Sequence, residues 1–107
     1  MYFYEKKILE RITRQLISKF RGRIISVHAF GSKARGDHDK SSDFDILIVV
    51  KNRNPAIEDR IMEIIVQEEM KSGLSFTPVI KDLSSFELEM RYNSPFYQNI
   101  TKEGIRI

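Results

Sequence analysis

Between Ala29 and Val50 the chain reads AFGSKARGDHDKSSDFDILIVV, and the last seven residues of that stretch constrain the fold most. Phe44 to Val50 runs apolar without polar alternation beyond Asp45, the pattern of a central strand buried on both faces. Asp43 and Asp45 lie two apart where this strand opens, so period-two geometry points both carboxylates to one face. Upstream, an apolar run ends in Gly31-Ser32 ahead of an expected helix turn, where free backbone N–H groups can hold a phosphate. Paired carboxylates hold hard cations such as Mg²⁺, which in turn bind nucleotide phosphates. One segment thus joins a phosphate cradle to a metal site, the combination that phosphoryl or nucleotidyl transfer requires.

The rest of the chain supplies cover for that strand. Ile8, Ile12, Leu16 and Phe20, widened by Leu9 and Ile17, predict an amphipathic helix from Tyr2 to about Arg21, with Gly22 as its stop. Ile24 to Phe30 reads as a short strand; His28 within it is expected to pack rather than to act. Pro55 starts a second helix along Ile57, Ile61, Ile64, Ile65 and Glu68, which Ser72-Gly73 closes. Leu74 to Ile80 is a third strand, which Pro78 assigns to a sheet edge or strand end. Asp82 or Ser84 caps a helix through about Arg91, and Ser94-Pro95 opens a last one through about Lys102. Gly104 frees an extended tail, Ile105 to Ile107. The expected architecture is one α/β (α+β) domain over residues 1–107, with a short mixed sheet covered by helices.

Composition sets outer limits. A chain of 107 residues with 41% hydrophobic and 31% charged residues can build a real core. The formal charge of +3 suits anionic substrates but is too small to argue for nucleic acid, and no interleaved basic–aromatic patch supports direct nucleic-acid binding. Without cysteine there is no disulfide framework, thiolate nucleophile or Cys-based zinc site. The charge-punctuated N-terminus lacks a signal peptide's apolar core and no run is long enough for a membrane span, so the cytoplasm is the default expectation.

GSKARG followed by SDFDILIV resembles the GSxxRG…SDxDLxV signature of the nucleotidyltransferase superfamily that includes DNA polymerase β, and within it the minimal nucleotidyltransferases of bacteria and archaea. The stretches Ser94 to Tyr97 and Lys102 to Ile105 also resemble the C-terminal end of that small family. The resemblance implies a small nucleotidyltransferase fold that moves a nucleoside monophosphate from an NTP, with ATP the expected donor, onto a hydroxyl. It implies that Gly31 and Ser32 hold the outer phosphates and that Asp43 and Asp45 are the catalytic Mg²⁺ ligands. Ser42 would orient the turn or meet phosphate. Arg35 would pair with the carboxylates or brace the loop, and Lys33 would face solvent or nucleotide; His38 lies in the same polar connection.

One departure stands out. The superfamily adds a third carboxylate on a neighbouring strand, and the site-facing residues there are Ser75 and Thr77, with Ser75 the expected equivalent and Asp82 too far along. Hydroxyls are poor substitutes for an anionic Mg²⁺ ligand. Two functions stay open from this: an enzyme that modifies a partner protein, or an antitoxin that neutralises its partner by binding alone. The resemblance implies a helical HEPN-type toxin as that partner, with Tyr2, Phe3, Tyr4, Phe96 and Tyr97 as either interface or core. Homo- and hetero-oligomeric states both stay open.

Overall fold

The computed structural model describes residues 2–34 and 43–107. Its elements are α1 (Phe3–Lys19), β1 (Ile24–Phe30), α2 (Gly31–Ala34), β2 (Phe44–Val50), α3 (Pro55–Ser72), β3 (Phe76–Asp82), α4 (Leu83–Arg91), α5 (Pro95–Glu103) and β4 (Ile105–Arg106). The sheet order is β3-β2-β1-β4. β1 runs antiparallel to both β2 and β4, while β2 and β3 are parallel, as the crossover through α3 allows. The result is a mixed α+β sheet, and the tail read as merely extended becomes its fourth strand.

β2 holds the centre. Ile46 through Val50 are all fully buried, because helices cover both faces of the strand. On one side Phe44, Ile46, Ile48 and Val50 pack with Ile8, Leu9, Ile12 and Leu16 of α1 and with Ile57, Ile61, Ile64 and Ile65 of α3. On the other, Leu47 and Val49 meet Ile100 of α5, with Phe30, Val79, Leu83, Phe86 and Phe96 packed around them. Asp45 shares the parity of Leu47 and Val49, which puts its side chain on the α4/α5 face, at the end of that smaller core.

Local signals explain the helix ends. Asn54 Oδ1 accepts the Ile57 N–H at 2.9 Å ahead of Pro55, and Gly73 ends α3 in the left-handed conformation. Asp82 caps α4 through the Ser84 N–H and Ser94 caps α5 through the Tyr97 N–H. α1 is tied down differently. Glu5 accepts the Tyr2 N–H at its start, and its inward face carries Arg11 and Gln15 to the buried Glu68 of α3. Ile17 departs from the predicted stripe and is half exposed, since the buried face of α1 ends in Leu16 and Phe20.

β3 lies at a sheet edge, as Pro78 predicts, and the edge is blunted. The Phe76 N–H is taken by the Glu69 carboxylate at 2.9 Å, and Pro78 has no N–H to offer an added strand.

Candidate functional site

The pairing of β1 with β2 builds the site. Phe30 stands opposite Asp45, so the residue that follows, Gly31, enters its turn directly beside that carboxylate. Gly31 has φ +80°, a conformation few side chains tolerate, and a Cβ placed on it would collide with Asp45 Oδ2. The glycine is therefore required twice over: by the backbone and by the carboxylate packed on it. Ala34 closes the single turn of α2 by inserting into the larger core, which anchors the loop's first arm. Gly31 and Asp45, separated by the polar connection in sequence, are in contact in the fold.

Asp43 is exposed and Asp45 half buried. Burial, and then the charge of Asp43, push the Asp45 carboxyl above its ordinary value. A cation between the two would relieve both penalties, so the donor set fits a hard divalent metal held by carboxylate oxygens. Among the described residues no group of three His, Cys, Asp or Glu side chains converges.

β3 settles which hydroxyl faces the pair. Its parallel register sets Thr77 opposite Asp45, and the Thr77 hydroxyl donates to Asp43 Oδ2 at 3.1 Å. Ser75, the residue expected there, lies ahead of the strand, where its carbonyl accepts the Phe44 N–H at 2.9 Å. Ser75 and Thr77 share a parity, so alternation could not separate them; the register of a long-range pairing does. Asp82 is far from the pair, as expected, and caps α4 while accepting the Arg53 N–H.

Arg35, Ser42 and His38 lie outside the described residues, as do the side chains of Ser32 and Lys33. His28 is half buried within the sheet, its Nε2 2.9 Å from Ser26 Oγ and its ring near Phe86. Burial, then the charge of Arg106, hold its pKa below the ordinary histidine value. This is a packing role. A cavity of about 360 Å³ lined by Arg53, Asn54, Pro55, Glu58 and Asp82 sits at the opposite end of β2, where the polar groups already serve one another. The aromatic set divides: Tyr2, Phe3 and Tyr4 are exposed, whereas Phe96 packs edge-on to Phe30 and Tyr97 against Phe86.

Residues 8–106 match the family model described as nucleotidyltransferase domain. A Methanocaldococcus jannaschii protein, provisionally named protein adenylyltransferase MJ0604, is 31% identical over 94% of this chain and 94% of its own length. A second from that organism, MJ0141, carries the same provisional name and is 30% identical over 69% of this chain and 76% of its own. Among solved structures, a nucleotidyltransferase of Sulfolobus solfataricus, also provisionally named, superposes with a TM-score of 0.57 at 24% identity, covering 94% of this chain and 76% of that one. A toxin–antitoxin structure with AMP-PNP gives 0.57 at 16% identity, covering 91% and 70%. At those identities the two structures speak for the fold.

Proposed function

Because this chain belongs to the nucleotidyltransferase domain family, we propose that it transfers AMP from ATP to a hydroxyl of a partner protein, using Mg²⁺ held by Asp43 and Asp45. The observation that carries this is the Asp45 carboxylate packed on the Gly31 turn, with the charge of Asp43 acting on it. The adenylyl donor and protein acceptor are supported by the names of the M. jannaschii relatives.

Each residue has a task. In this reading Gly31 and Ser32 hold the outer phosphates of ATP, and Lys33, Arg35 and Ser42 are the further nucleotide-binding residues. Asp43 and Asp45 hold the cation. Bound there, Mg²⁺ supplies charge that offsets the triphosphate and the departing pyrophosphate. The acceptor oxygen bonds to the α-phosphorus, the bond from that phosphorus to the β-bridging oxygen breaks, and pyrophosphate leaves. The acceptor's proton passes to a carboxylate of the pair or to water.

The likeness to a toxin–antitoxin structure supports a paired setting; the motif resemblance makes the partner in that setting a helical HEPN-type toxin and this chain its antitoxin. Exposed Tyr2, Phe3 and Tyr4 are the part of the predicted aromatic set left for such a contact. A second reading, neutralisation by binding alone, is favoured by the neutral hydroxyl of Thr77 where the superfamily resemblance calls for an acid. Incubating the product of the adjacent gene with this protein, ATP and Mg²⁺, then weighing it by mass spectrometry, separates the two. An added AMP that Asp43→Asn abolishes supports transfer. An unmodified but bound partner supports occlusion and contradicts transfer.

A further inference from the structure

We propose that Thr77 is a positioning residue that locks the Asp43 carboxylate in place and limits the site to a single divalent cation. This rests on the assignment of Asp43 and Asp45 as cation ligands. Three observations meet at Thr77. It stands opposite Asp45 in the parallel β2–β3 register, so it shares a face with both acids. Its hydroxyl donates to Asp43 Oδ2, which fixes one oxygen of an otherwise exposed side chain. And it is neutral, so it adds no charge to the pair.

The consequences differ for the two acids. Asp45 is already held, by burial and by its packing on Gly31. Asp43 is exposed, just ahead of β2, and among the described residues the Thr77 hydroxyl holds its carboxylate. A carboxylate fixed before the metal arrives loses less freedom on binding it. The hydroxyl proton is also spent on Asp43, so toward a metal Thr77 offers only a neutral oxygen lone pair. Two divalent cations set side by side repel strongly and need intervening anions to hold them. With two carboxylates and a hydroxyl, the described residues hold one such ion.

Mn²⁺ binding to the whole chain, without nucleotide, tests this by titration and by electron paramagnetic resonance. The wild type should bind one Mn²⁺. Thr77→Val, nearly isosteric, should weaken it about five- to ten-fold, the loss of one hydrogen bond to a charged ligand, and Thr77→Ser should recover it. Thr77→Asp should take a second Mn²⁺ and show a spin-coupled signal. Unchanged affinity in Thr77→Val, with a single ion in Thr77→Asp, would overturn the role of Thr77 while leaving the cation site standing. A wild type that binds two ions would overturn the single-cation limit. No Mn²⁺ in any variant would remove the cation site itself, and this inference with it. Circular dichroism of each variant separates loss of binding from loss of fold.

Discussion

The surroundings of Asp45 work against it, since burial and the neighbouring Asp43 both oppose its charge. Its folded-state pKa is raised, so the ionised pair costs folding free energy, a cost that grows as the pH climbs past the ordinary carboxylate value. Replacing one acid should therefore help the empty protein. Asp43→Asn is expected to raise its unfolding free energy by about 0.5–1 kcal/mol near neutral pH, the usual exchange of function for stability. Differential scanning calorimetry should show this rise, together with loss of the Mg²⁺-dependent increase expected of the wild type. A cation held there would compete with a proton at the same oxygens, so Mg²⁺ affinity should fall as the pH drops through the raised pKa of Asp45. Gly31 works the other way. Gly31→Ala forces a side chain into a left-handed backbone position and into the Asp45 carboxylate, and should cost about 2–3 kcal/mol in urea unfolding.

At the scale of elements, α1 and α3 are clamped by a polar contact inside an apolar seam. Glu68 is almost wholly buried, and burial alone would raise its pKa; hydrogen bonds from Arg11 and Gln15, with the charges of Arg11 and Lys71, outweigh that and hold it low. A depressed carboxylate stabilises the fold above its unfolded pKa and loses that contribution as the pH falls through the folded one. Arg11 is partly exposed, so the pair is worth less than a fully buried one. Arg11→Ala should destabilise the fold at neutral pH, and less so below the carboxylate range, where Glu68 is protonated. Chemical denaturation at two pH values checks both. Glu68 was legible as an inward-phased position of the helix, but its partners lie more than fifty residues upstream and no local pattern names them. The same limit governed Thr77. The bounds of β1 and β2 follow from apolar runs and an adjacent glycine, whereas the start of β3 depends on how α3 returns the chain to β2.

Across the whole molecule, helices cover both faces of the sheet and the two acids sit at the margin of the smaller layer. That layer is built from Phe30, Phe86 and Phe96, which is why Phe96 and Tyr97, candidates for a partner surface in the sequence, turned inward. Tyr2, Phe3 and Tyr4 stayed exposed because α1 buries its opposite face against the sheet. Among the described residues no helix is long and apolar enough to cross a membrane. The central claim is that Asp43 and Asp45 bind the cation through which this chain engages ATP. Calorimetric titration of ATP into the wild type and Asp43→Asn, each with and without Mg²⁺, tests it most directly. Binding that requires Mg²⁺ and disappears in a folded Asp43→Asn is the expected result. Equal binding by both proteins, or none by the wild type, would contradict it.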